Sequence, residues 1–180
     1  MMSLSDLHLL VVDDNKQMRH VLRCLLRAGG IVKVTEAESA EQALGVMRAS
    51  PIDLVLLDWK MAPIDGLSFA RAVRWNSASP NPYIPILMLT AHTETSRVEA
   101  ARDAGVSGFV KKPISTRLLF DRIAFALTDT RTFVRTEDFF GPDRRHGMFK
   151  RHSGPFRRTT DNDAAEPVDT LDLDDLRWSA

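Results

Sequence analysis

Residues 52–58 read Ile-Asp-Leu-Val-Leu-Leu-Asp, an apolar run set between Pro51 and the turn Ala62-Pro63-Ile64-Asp65-Gly66. A run this short and this apolar, bounded by turn residues, predicts a strand buried on both faces, and such strands belong to parallel sheets covered by helices. The run ends on an acid, Asp58. In an open parallel α/β sheet the crevice beyond the carboxyl ends of the strands is where ligands bind. A carboxylate placed there needs a chemical reason.

Three other apolar runs end in functional groups. Leu7 to Val12 closes on Asp13-Asp14, Ile84 to Leu89 on Thr90, and Val106 to Val110 on Lys111-Lys112-Pro113. With Ile31 to Ala37 they make five strands. Helical spacing fills the intervals. Asn15 caps a helix with Met18, Val21, Leu22, Leu25 and Ala28 as its apolar stripe and Arg19, Arg23 and Arg27 on another face, ended by Gly29-Gly30. Ser39 caps a second helix to about Ala49, and Leu67 to about Trp75 makes a third. A fourth follows the polar run His92 to Ser96 through Val98, Ala101 and Ala104 to Gly105, and a fifth runs from about Ser115 to Thr128 on Leu118, Leu119, Ile123, Ala126 and Leu127. Strict β-α alternation predicts an α/β fold, a five-stranded parallel sheet wound on both faces. Cys24 and Met18 read as packing residues of the first helix, and His8, His20 and His92 show no metal-ligand spacing.

If the Asp13-Asp14 and Asp58 strands are neighbours, three carboxylates converge with no Cys or His beside them, a donor set that suits hard Mg2+ better than zinc or copper. Each residue alone has a plainer reading: Asp13-Asp14 as a helix cap, Asp58 as a turn acid, Thr90 as a cap, Lys112 as a solvated lysine. Their joint occurrence at four strand ends favours a functional site.

Asp13-Asp14, Asp58-Trp59, Asp65-Gly66-Leu67, Thr90-Ala91 and Lys112-Pro113, in this order over about a hundred residues, resemble the receiver domain of two-component response regulators, in particular the CheY-like single-domain type. The resemblance covers residues 6–128. It implies a flavodoxin-like doubly wound sheet of order 2-1-3-4-5 and a cis Lys112-Pro113 bond. It further implies that Asp58 is the phosphoacceptor, and a carboxylate is a competent nucleophile toward phosphorus. Asp13 and Asp14 would hold Mg2+ together with Asp58 and the Lys60 carbonyl, and Thr90 and Lys112 would contact phosphoryl oxygens. Thr90 and Phe109 would form the switch, acting on the helix 4–strand 4–helix 5 face. The implied partners are a sensor histidine kinase or phosphotransfer protein and a downstream protein target. A signalling module that catalyses only its own phosphorylation and dephosphorylation is expected, with a phosphotransfer intermediate or phosphate sink as the alternative. Two departures stand out. Proline follows Met61 at a distance of two rather than one, which leaves the loop's path open, and Lys60 and His92 lie beside the site, which leaves the phosphoryl lifetime open. A haloacid-dehalogenase-type hydrolase also forms an aspartyl phosphate, but it needs an acid two residues past the nucleophile, where this chain has Lys60.

Basic and acidic side chains balance at 24 each, so no global charge favours nucleic acid or an anionic membrane. One cysteine suits a reducing cytosol, the first residues lack the basic and apolar pattern expected of a signal peptide, and no apolar run reaches membrane-spanning length, so a cytoplasmic protein without membrane insertion is expected. Past Thr130 periodicity fades. Residues 131–180 read as a largely disordered, irregular extension, basic and then acidic: six basic groups and one acid in 141–160, seven acids and one arginine in 161–180. Arg144, Arg145, Lys150, Arg151, Arg157 and Arg158, interleaved with Phe149 and Phe156, would allow a nucleic-acid arm. A solvated charged tail fits the self-cancelling blocks better. Phe133, Phe139 and Phe140 with Val134 are expected to dock back on the receiver, since three aromatics are costly to leave in water.

Overall fold

The computed structural model describes residues 4–91 and 95–143. The calls on His92, on the basic and acidic blocks beyond Asp143 and on the disorder of that segment lie outside these residues. Five strands form one parallel sheet in the order β2-β1-β3-β4-β5, with β1 at His8–Val12, β2 at Lys33–Ala37, β3 at Leu54–Asp58, β4 at Ile86–Thr90 and β5 at Gly108–Lys111. Five helices alternate with them: α1 Lys16–Ala28, α2 Ala40–Ala49, α3 Gly66–Trp75, α4 Thr95–Asp103 and α5 Thr116–Thr128.

The two-residue period of the strands divides the core. Leu10, Val12, Val55, Leu57, Ile86, Met88 and Phe109 point to one face, where α2, α3 and α4 supply Ala43, Met47, Phe69, Val73, Val98 and Ala101. Leu9, Val11, Leu54, Leu56, Leu87, Leu89 and Val110 point to the other, against Leu22 and Leu26 of α1 and Leu119, Ile123 and Ala126 of α5. All five residues of β3 and of β4 are buried. That is why both runs are continuously apolar instead of alternating, and why β3 lies at the sheet's centre.

The stripe of α1 differs from expectation. Arg19, Leu22 and Leu26 are its buried residues, Met18 and Leu25 are partly buried against the core, and Val21 is 48 % exposed. Cys24 is exposed rather than packed, because it stands two positions from Leu22 and therefore on the far side of the helix. Arg19 lies three before Leu22 and seven before Leu26, so its position on the buried stripe is set by helical geometry despite its charge. Its guanidinium is satisfied there by the Asp13 carbonyl, to which Nη1 donates at 2.7 Å, and by Glu36 at 3.3 Å.

Past Asp129 the chain forms two further strands, β6 at Phe133–Arg135 and β7 at Phe140–Pro142, paired antiparallel. Three-residue strands are too short for a period to register in sequence, so the hairpin is not legible as a pattern. β7 packs against α3 and α4. Phe140 is 3 % exposed, with the rings of Trp75, Tyr83 and Phe133 set edge-on around it. Arg131 anchors the hairpin's base: its Nε donates to Asp129 Oδ2 at 2.8 Å and its Nη2 to the Ser107 carbonyl at 3.0 Å. Beneath the hairpin Arg74 is 2 % exposed. Burial without a carboxylate partner pushes its pKa down to about 9, which still leaves it charged at neutral pH.

Candidate functional site

The site forms at the carboxyl edge of the sheet because neighbouring strands end together. β1 and β3 are adjacent with Val12 opposite Leu57, and β3 and β4 with Asp58 opposite Leu89, so the residues that follow β1 and those that end β3 and β4 reach the same rim. β5 joins them through Thr90 opposite Lys111, and the Lys112 amide donates to the Thr90 carbonyl at 2.7 Å. Topology thus brings together acids more than forty residues apart in sequence.

Asp13, Asp14 and Asp58 each offer a carboxylate oxygen within 4.8 Å of the others. Asp13 and Asp58 are buried, at 1 % and 7 % exposure, while Asp14 faces outward. Lys112 closes the group: its ammonium donates to Asp58 Oδ1 at 2.7 Å and lies 3.5 Å from Asp13 Oδ2. Lys111, its neighbour, is exposed, so the lysine at the site is Lys112. Asp58 Oδ2 accepts from the Lys60 amide at 3.2 Å, and the Lys60 side chain is exposed. Thr90 is buried at the end of β4, one strand from Asp58. Phe109 is 7 % exposed, its ring inside the core face shared with α4.

The β3–α3 loop is pinned over the site. The Ala62 amide donates to Asp14 Oδ2 at 3.3 Å, which gives the path that the displaced proline left open, and both the Ala62–Pro63 and the Lys112–Pro113 bonds are cis. Asp65 caps α3 by accepting from the Ser68 amide at 2.7 Å. Gly66 donates to the Trp59 carbonyl at 3.0 Å, and a Cβ there would collide with the Asp58 carbonyl oxygen. Only glycine lets the loop return this close to the acid.

The electrostatics are unbalanced. Burial pushes the Asp13 carboxyl above its ordinary range, the Asn15 amide pulls it down, the Asp58 charge raises it again, and Lys112 offsets part of this. Three carboxylates facing one ammonium leave an excess of negative charge, and every donor is a hard oxygen. Such a donor set fits a divalent hard cation, Mg2+ above all, and does not suit zinc or copper. Arg19, expected on a face away from the apolar stripe, is instead buried, and its guanidinium donates to the Asp13 carbonyl beside the acid pair. Its signal was the helical offset from Leu22.

Fold and site together define a class: a doubly wound α/β domain whose sheet edge carries an acidic, lysine-bridged pocket. The sequence profile of the response regulator receiver domain matches residues 9–124. The chain belongs to that family, the signalling modules of two-component systems. It is 33 % identical over 115 residues to the chemotaxis protein CheY of Pseudomonas aeruginosa, a match covering 64 % of this chain and 91 % of that one. It is 29 % identical over 118 residues to CheY-3 of Vibrio cholerae, covering 66 % and 89 %. Among solved structures, Vibrio cholerae chemotaxis protein CheY4 superposes with a TM-score of 0.62 at 27 % identity, over 67 % of this chain and 98 % of that one. No helix among the described residues is long and apolar enough to cross a membrane.

Proposed function

We propose that this chain receives a phosphoryl group on Asp58 from a sensor histidine kinase or a phosphotransfer protein, in the cytoplasm, and passes the signal to a downstream protein by changing its surface. The observation that carries this is the Lys112 ammonium 2.7 Å from Asp58 Oδ1 with Asp13 and Asp14 alongside. A buried acid bridged in this way, beside a second acid pair, has charge partners already in position for a phosphoryl group.

The Asp58 carboxylate attacks phosphorus of the phosphohistidine. An O–P bond forms as the P–N bond breaks, and the histidine nitrogen leaves with the electron pair. Asp13, Asp14, Asp58 and the Lys60 carbonyl would hold Mg2+. When bound, the ion supplies positive charge that offsets the repulsion between phosphoryl oxygens and the pocket's carboxylates. Lys112 transfers its hydrogen bond from Asp58 to a phosphoryl oxygen, and the Thr90 hydroxyl donates to another, so the incoming charge meets fixed donors rather than water. The aspartate is both nucleophile and carrier, which makes the chemistry self-directed.

Thr90 moving toward the phosphoryl group would draw the end of β4 and loosen α4, whose apolar contacts are thin: Val98 and Ala101, with Ala104 just past its end. Phe109 is already inward, so phosphorylation would hold the ring there. The surface that changes is then the α4 and α5 side of the sheet, along its β5 edge, since β4 is buried throughout between β3 and β5. Incubation with Mg2+ and radiolabelled acetyl phosphate tests the phosphotransfer. Label that chelation prevents and Asp58→Asn abolishes supports it, and label that survives both contradicts it.

A further inference from the structure

The C-terminal hairpin rests on the element that the proposed switch would move. The Phe140 carbonyl oxygen lies so close to Gly105 that a Cβ on that glycine would collide with it, and a Cβ on Gly141 would come 2.7 Å from Gly105 Cα. Gly105, at φ +81°, is the residue that ends α4. Backbone therefore sits on backbone at the α4–β5 turn, and movement of that end of α4 must carry the hairpin or break the contact.

Two features make this seat breakable. Its floor is Arg74, whose Nε donates to the Gly105 carbonyl at 3.0 Å and Nη1 to the Pro82 carbonyl at 2.7 Å, with the Phe133 ring 5.2 Å from the guanidinium carbon. Its Nη2 is buried without a hydrogen-bond partner. Covering a guanidinium that has only carbonyls and a ring around it opposes the gain from burying Phe140, so lifting the hairpin returns part of what it loses. The second feature is a cleft of about 640 Å³ beside the hairpin's turn, lined by Glu137, Asp138 and Phe139 together with Arg71, Trp75 and Asp103. The hairpin is held along β7 and at its base.

We propose that residues 132–143 are a displaceable strap that braces the α4–β5 turn in the resting state, so that its release and phosphorylation of Asp58 favour one another. This rests on the receiver function proposed above. Coupling of this kind is reciprocal: the factor by which the occupied site loosens the strap equals the factor by which a loosened strap tightens binding at the site.

Hydrogen exchange read by mass spectrometry on the full chain tests it, with Mg2+ and beryllofluoride as the phosphoryl mimic and acetyl phosphate labelling of Asp58 measured on the same preparation. The reporters are the amides of Thr136 and Asp143, which donate to the Phe139 and Thr132 carbonyls. Their exchange should quicken several-fold when the mimic is bound. Gly141→Ala, whose Cβ presses on Gly105, should quicken it without the mimic and tighten beryllofluoride binding by a comparable factor. Tyr83→Ala, which removes an exposed wall of the Phe140 cage, should do the same more weakly and serves if the glycine variant fails to fold. Labelling of Asp58 with unchanged strap exchange overturns the strap alone, as does a loosened strap with unaltered mimic affinity. Absence of any labelling overturns the receiver function, and the coupling with it.

Discussion

Asp13 shows at the scale of one side chain how a donor set that fits a cation stands against the stability of its own fold. Its pKa is raised chiefly by burial and also by the charge of Asp58, so the native state holds that proton more tightly than the unfolded chain does. The sign follows: this group's contribution to stability is present below the ordinary carboxylate pKa and is lost as pH rises through the raised value. In chelator at neutral pH, Asp13→Asn should therefore raise the melting temperature and flatten that part of the pH profile, while abolishing the upward shift that Mg2+ should give the parent protein. Thermal denaturation with and without Mg2+ checks both, and a lowered melting temperature in chelator would mean that the Asn15 and Lys112 contacts outweigh the burial. Gly66 makes the opposite case. Gly66→Ala places a methyl against the Asp58 carbonyl and should destabilise by about 1–3 kcal/mol, the usual range for overpacking against a fixed neighbour; denaturant titration showing no loss would mean that the loop relaxes freely.

Among the elements, α4 is the one whose sequence and structure both indicate weak attachment. Its apolar residues are few and small, and its carboxyl end depends on Gly105 and the hairpin beneath it. A bistable helix needs this kind of marginal packing. Nuclear magnetic resonance shifts on adding beryllofluoride and Mg2+ should concentrate on α4, β4, α5 and the 132–143 hairpin. Shifts confined to α1 and α2 would contradict the switch. The strands were legible because burial on both faces makes them continuously apolar, and the site acids because they terminate such runs. The hairpin was not, since its strands are three residues long and its stability comes from Phe140 meeting Trp75 and Tyr83, a contact between segments more than fifty residues apart. Arg74 was missed for a related reason. It stands four residues after Ala70, on the buried stripe of α3, but a charge on an apolar stripe reads as an interruption until the carbonyls of Gly105 and Pro82 are seen around it.

For the whole molecule, the packed fold extends to the hairpin, and the acidic pocket lies at the opposite end of the sheet from it: Asp58 ends β3, while Ser107, which accepts from Arg131, precedes β5. Deleting residues 145–180 should leave the melting temperature and Asp58 labelling nearly unchanged, because the five-stranded sheet, its five helices and the acid group are all built from residues 8–128. Calorimetry and labelling of the truncated chain check this, and unfolding would place the fold's boundary further along. The most direct test of the central claim is to incubate the full chain with Mg2+ and acetyl phosphate and map the modified residue by tandem mass spectrometry after borohydride reduction of the acyl phosphate. The predicted result is reduction at Asp58, converting it to homoserine, in the sample with Mg2+ and not in the sample with chelator. Modification at Asp13, at Asp14 or at no residue would contradict it.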